Sequence, residues 1–143
     1  MFYFAYASNM NKQQMADRCP GCKFLKRAYL ENYKYFYDEH PESKIGAKAN
    51  IAPAKGEAVW GALFEINGNH LESMDHYEGY PKLYQREIVI VKDDGGESYE
   101  AWVYFRKPQK PATPPAQYLE TVKQGARDSG LPEEYIKASI EKT

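Results

Sequence analysis

Apolar and polar residues change period several times along the chain, and each change marks an element. Phe2 to Ala7 is aromatic and extended and predicts a strand. Asn11, with Gln14 three residues on, has the form of a capping box and predicts a short helix ending near Arg18. Cys19-Pro20-Gly21 stops it. Phe24–Leu30 and Tyr33–Tyr37 read as two strands turned at Glu31-Asn32, and the polar run from Asp38 to Lys44 reads as an exposed loop. Ala47–Ala52 and Ala58–Ile66 predict two more strands joined by a turn from Pro53 to Gly56. Asn67 can cap a helix through Tyr77, with Leu71 and Met74 at core spacing and Gly79 as its left-handed stop. Tyr84–Val91 and Tyr99–Phe105 flank Asp93-Asp94-Gly95-Gly96, a strong hairpin signal. A stiff crossover from Pro108 to Pro115 precedes a helical stripe of Leu119, Val122 and Ala126. Gly130 ends that helix, and Pro132 opens a last one holding Tyr135, Ile136 and Ile140.

These elements add up to one α+β domain over residues 1–143: a mostly antiparallel sheet curled into a small β-barrel, with flanking helices. Composition narrows the function. Nineteen basic against twenty acidic residues leave a net charge of −1, which argues against a nucleic-acid partner. No apolar run approaches the length of a membrane span, and the apolar start Met1–Tyr6 lacks a basic leader, so a cytoplasmic location is expected. Thirteen tyrosines are unusual for 143 residues and suit a polar small-molecule pocket with flat apolar walls.

Chemistry-bearing motifs are sparse. His40, His70 and His76 fall at no ligand spacing and read as surface residues, the last two on the exposed side of one helix. Cys19-Pro20-Gly21-Cys22 follows a helix and leads into a strand, the wrong context for a redox dithiol, and lacks the second pair a zinc site needs. A structural role is the plainer reading of the two thiols, with redox sensing as the alternative. The strand that opens into Ser8-Asn9 would expose consecutive N–H groups able to hold a carboxylate or oxyanion, unless it is only a buried strand and a polar turn. Glu78 is the best single candidate for catalysis. It ends a helix beside Tyr77, Tyr80 and Tyr84, where the helix dipole and aromatic desolvation both disfavour its charge. A solvated helix-end carboxylate is the plain alternative.

Several segments together resemble the γ-glutamylcyclotransferase family, also called AIG2-like. They are Tyr3-Phe4-Ala5-Tyr6-Ala7-Ser8-Asn9-Met10, Ala58-Val59-Trp60-Gly61-Ala62-Leu63-Phe64, and Met74-Asp75-His76-Tyr77-Glu78-Gly79 with Tyr84. Pro114-Pro115-Ala116-Gln117-Tyr118 and Gly130-Leu131-Pro132-Glu133-Glu134-Tyr135 follow in the same order, so the similarity runs over nearly the whole chain. The resemblance implies an enzyme that needs neither cofactor nor metal and converts a γ-glutamyl amino acid or peptide to 5-oxoproline. It assigns Glu78 as general base and Tyr3, Phe4, Ala5, Tyr6, Ala7, Ser8 and Tyr118 to the substrate site, with Asn9, Tyr84 and Tyr104 as further lining. The expected partner is a small γ-glutamyl substrate, with no membrane, and a homodimer stays open. Two alternatives stay open as well: a relative acting on γ-glutamylated amines or biosynthetic intermediates, and a silent binding module on the same fold. One departure is visible. The family usually has glycine where this chain has Ala7, and if the position required positive φ, alanine would be strained by roughly a kcal/mol or more.

Overall fold

The computed structural model describes residues 1–41 and 46–142. Five strands carry the period-2 segments: β1 (Phe2–Ala5), β2 (Lys23–Glu39), β3 (Ala47–Glu65), β4 (Gln85–Lys92) and β5 (Ser98–Phe105). They close into a barrel in the order β1-β3-β2-β4-β5. Every neighbouring pair is antiparallel except the closing seam, where β1 runs parallel to β5 with Phe2 opposite Ala101 and Tyr3 opposite Trp102. The helices are α1 (Lys12–Arg18), α2 (Gly68–Glu78), α3 (Ala116–Asp128) and a short α4 (Glu133–Tyr135) that runs on into a π-helical turn, Ile136–Ile140.

Two expected chain reversals are not reversals. The residues split between four short strands form one long β2–β3 hairpin, and both turn signals sit inside it as an irregularity. Glu31 pairs with Ala58 and Tyr33 with Pro53, so the single residue Asn32 on β2 faces the stretch 54–57 on β3. Asn32 takes a left-handed φ of 63°, which asparagine tolerates better than most residues, and its Oδ1 accepts a hydrogen bond from Gly56 N at 3.0 Å. Turn-forming residues here make a bulge, because the ladder on either side outweighs local preference. The expected loop also begins too early. Asp38 and Glu39 still belong to β2 and Asp38 is fully buried, whereas 42–44 lie outside the described residues.

Strand alternation divides the core in two. Phe4, Leu30, Ile51, Val59, Leu63, Val91 and Val103 lead a cluster drawn mostly from strands, which fills the barrel. The alternate positions Tyr3, Ala5, Ala62 and Phe64 face outward onto Met15, Met74, Val122, Ala126, Ile136 and Ile140 of the helices. Helix α3 comes closest at Gly125, where a Cβ would collide with the backbone of Met10 and Asn11. Glycine therefore lets α3 press directly on the segment that follows β1.

Candidate active site

The chain leaving β1 makes a 3₁₀ turn, Ser8–Met10, before α1. The turn engages the N–H groups of Met10 and Asn11, which donate to Ala7 O and Ser8 O. Those of Ser8 and Asn9 have no partner within the turn. Ala7 sits at φ −131°, so the alanine carries none of the strain expected if the position had needed a left-handed backbone. Asn9 is buried and ties the turn to its surroundings. Its Nδ2 donates to Tyr3 Oη at 3.0 Å, and its Oδ1 accepts from Gln14 Nε2 at 3.0 Å and Arg18 Nη1 at 3.1 Å. Gln14 Nε2 also donates to Ser8 Oγ at 2.9 Å.

Helix α2 is fixed at both ends. Asn67 caps it by accepting from His70 N, and His70 Nδ1 accepts from Asn67 N in return. His70 Nε2 lies 2.7 Å from Pro20 O, so this histidine is a buried capping residue and not the exposed one expected. His76 is exposed as expected. Near the other end, Asp75 accepts two bonds from Arg86 of β4, at 2.8 and 3.1 Å, and one from Tyr104 Oη of β5 at 2.6 Å. Gly79, at φ 68°, then ends the helix in the left-handed conformation. Glu78, the last helical residue, is thereby set into the wall of a cavity.

That cavity has a volume of about 160 Å³ and lies between α2, the turn after β1, the start of β3 and α3. Of the residues expected from sequence it brings together Tyr3, Tyr6, Ala7, Ser8, Asn9, Glu78, Tyr84, Tyr104 and Tyr118. Phe4 and Ala5 are not in its lining, because alternation along β1 turns Phe4 into the barrel and Ala5 against the helices. Tyr80 is likewise elsewhere, exposed and stacked on Arg86 at 4.3 Å. The lining also contains Arg18, His40, Lys48, Tyr77 and Leu83, which the sequence reading did not assign to a site. Lys48 carried the clearest missed signal, a lone charge within the small and apolar run Ala47–Ala52.

The electrostatics single out Glu78. Burial raises its pKa, and the positive charges of Arg18, Lys48 and Arg106 offset only part of that rise. Burial lowers the pKa of Lys48, with Glu78 pulling the other way. His40 is pushed down to about 4 by burial and by Lys48 and Arg106, so its ring is neutral at pH 7. Tyrosines form much of the rest of the wall, and most of their hydroxyls are committed. Tyr6 Oη donates to Tyr104 O at 2.7 Å, and Tyr118 Oη accepts from Ala49 N at 3.0 Å. Burial raises the phenols of Tyr3, Tyr6 and Tyr118, and brings Tyr84 up to about 12, so all four are neutral.

Behind the cavity lies an ion pair that the sequence did not reveal. Arg106 Nη1 is 2.7 Å from Asp38 Oδ1, with the two side chains 1% and 0% exposed. Arg106 Nη2 donates to Lys48 O at 3.2 Å, and its guanidinium lies 5.3 Å from the Tyr84 ring centre, so it buttresses two lining residues. The two cysteines are free thiols away from the cavity. Burial pushes Cys19 up to about 11, opposite to what a reactive thiolate needs.

Residues 58–138 match the AIG2-like family. A γ-glutamylcyclotransferase from Bos taurus is 30% identical over 141 residues, 94% of this chain and 74% of its own. A γ-glutamylaminecyclotransferase from Danio rerio is 37% identical, but over 36% of this chain and 34% of its own. A solved γ-glutamyl cyclotransferase structure superposes with a TM-score of 0.91 at 28% identity, over 99% of this chain and 86% of that one. With sequence similarity running almost end to end and the same barrel beneath it, the chain belongs to the AIG2-like family of γ-glutamylcyclotransferases.

Proposed function

We propose that the protein cyclises the γ-glutamyl group of a γ-glutamyl amino acid or peptide to 5-oxoproline and releases the amino acid, with Glu78 as the general base. The observation that carries this reading is the Glu78 carboxyl in the cavity wall, with its proton affinity raised by burial. The substrate supplies its own nucleophile. Its α-ammonium gives a proton to Glu78, and the freed amine attacks the γ-carbonyl carbon to form the ring C–N bond. As the tetrahedral intermediate collapses, the leaving nitrogen takes the proton back from Glu78 and the original γ-amide C–N bond breaks. The ring nitrogen gives up its second proton through the same carboxylate, and the amine departs as its ammonium. An ordinary glutamate (pKa about 4.3) facing an α-amine (about 8) is short by nearly 4 units, or about 5 kcal/mol. Burial closes part of that gap, and the base, once protonated, becomes the acid of the second step. Holding the glutamyl chain folded so that attack is intramolecular is worth a further ~7–11 kcal/mol.

In this reading the N–H groups at Ala7 and Ser8 receive the α-carboxylate, and Tyr118 closes the cavity over the glutamyl chain. The free thiols suit a reducing compartment such as the cytoplasm. Release of 5-oxoproline from γ-glutamyl-alanine is the test. Wild type should produce it, and Glu78→Gln, which keeps the shape but removes the proton acceptor, should be slower by ~10²-fold or more. A Glu78→Gln protein that retains most of its rate would overturn the assignment.

A further inference from the structure

The cavity holds more positive charge than its base needs. Three charged side chains line it at pH 7: Glu78, Arg18 and Lys48. The His40 ring beside them is neutral. With Glu78 ionised the lining carries one net positive charge. Arg18 has local compensation, since Nη1 donates to Asn9 Oδ1 at 3.1 Å and the guanidinium stacks on Tyr77 at 4.7 Å. Lys48 has none of this kind. It is half-buried, and no hydrogen bond or ion pair to Nζ is found among the described residues. Glu78 attracts its ammonium, while Arg18 and Arg106, the latter donating to the Lys48 carbonyl, repel it. A half-buried ammonium in a wall that holds two cations to one carboxylate has room for a second anion.

Resting on the cyclotransferase reading, we infer that Lys48 receives the carboxylate of the departing amino acid and so selects γ-glutamyl amino acids over γ-glutamylamines. Charge counting supports the choice. A γ-glutamyl amino acid carries two carboxylates and one ammonium, which matches the surplus cation of the wall. A γ-glutamylamine carries one of each and leaves the surplus positive charge of the wall unmatched. Placement supports it too. Arg18 and Asn9 are tied to the turn at Ser8, where the glutamyl carboxylate is taken to bind. Lys48 stands on β3 next to Ala49, whose N–H holds Tyr118. The two cations therefore come from separate elements, one for each end of a dicarboxylate.

The test compares kcat/KM for γ-glutamyl-alanine and γ-glutamyl-ethylamide in wild type, Lys48→Met and Lys48→Arg. Using the ratio of the two substrates cancels any effect of Lys48 on Glu78, which both share. Wild type should favour the dipeptide, and Lys48→Met should reduce that ratio by roughly tenfold or more, the scale of one charge-assisted hydrogen bond. Lys48→Arg, which keeps the charge, should restore most of it. If both substrates are turned over and the ratio is the same in wild type and Lys48→Met, the inference is wrong and Lys48 serves the glutamyl end or the base. If wild type releases 5-oxoproline from neither substrate, the cyclotransferase reading falls, and this inference with it.

Discussion

Replacing Arg106 by methionine should be among the most destabilising single changes available in this chain, although the residue touches no solvent. The side chains of Arg106 and Asp38 are 1% and 0% exposed and meet at 2.7 Å. Without the guanidinium, Asp38 keeps two neutral donors on Oδ2, Asn50 Nδ2 at 3.2 Å and Gln109 N at 2.8 Å. Removing one member of a buried pair costs ~3–5 kcal/mol, because it strands the other charge. The two remaining donors place Arg106→Met near the lower end, at about 3 kcal/mol. A domain of this size has roughly 7–20 kcal/mol in hand, so the variant should fold with a melting temperature lower by roughly 10 °C. Urea denaturation with an unchanged slope would report the loss directly. The double variant Asp38→Asn, Arg106→Met supplies the control. Asparagine keeps an oxygen for Asn50 and Gln109 and leaves no charge behind, so the pair should cost less than Arg106→Met alone. An Arg106→Met protein within about 1 kcal/mol of wild type would refute the reasoning. So would a double variant whose loss equals the sum of the single ones.

Other expectations follow from the same geometry. Burial raises the pKa of Glu78 in the folded protein, so the penalty for its charged form is absent below the unfolded pKa. It grows as pH climbs through the interval and is complete above the folded pKa. Glu78→Gln should therefore match or exceed wild-type thermal stability at neutral pH, and the difference should shrink towards about pH 4, near the unfolded value. Melting curves across that range check the sign. Tyr118→Phe removes the oxygen that Ala49 N–H donates to and should cost ~1–2 kcal/mol while raising KM more than it lowers kcat. Gly125→Ala forces a methyl into the backbone of Met10 and Asn11 and should cost ~1–3 kcal/mol together with most of the activity, whereas Gly68→Ala, which meets nothing within 4 Å, should change neither.

How much of this was legible in the sequence depended on the range of the interactions involved. The place of Glu78 at a helix end was legible because it is set locally: Asn67 caps the helix and Gly79 ends it. The β4–β5 hairpin was found for a similar reason, since Asp93 Oδ1 accepts from Gly95 N and Glu97 N within the turn itself. Asn32 and the run Pro53–Gly56 were misread as reversals because their turn chemistry is real, but a ladder that continues beyond them outweighs it. The Asp38–Arg106 pair was invisible for the opposite reason. Nothing near Asp38 in the chain marks it as buried, and its partner lies beyond β3, α2, β4 and β5 in sequence. Arg18 looks like an ordinary solvated charge until the fold sets it, with Lys48, in the same cavity wall as Glu78.

The parallel seam between β1 and β5 also fixes when the protein can begin to work. The seam is reinforced by Tyr6 Oη bonding to Tyr104 O, a contact between residues 98 apart in sequence. Contacts of that separation form after local hairpins, since the entropy of a long loop is lost before the contact compensates for it. The β2–β3 and β4–β5 hairpins can therefore assemble while the β1 turn, with Ser8 and Asn9, has nothing to face. A chain emerging from the ribosome gains the cavity wall at Tyr104 only with β5, and Tyr118 only with α3. Until then the Glu78 carboxyl lacks part of the wall that buries it, and the onset of turnover should report that the barrel has closed.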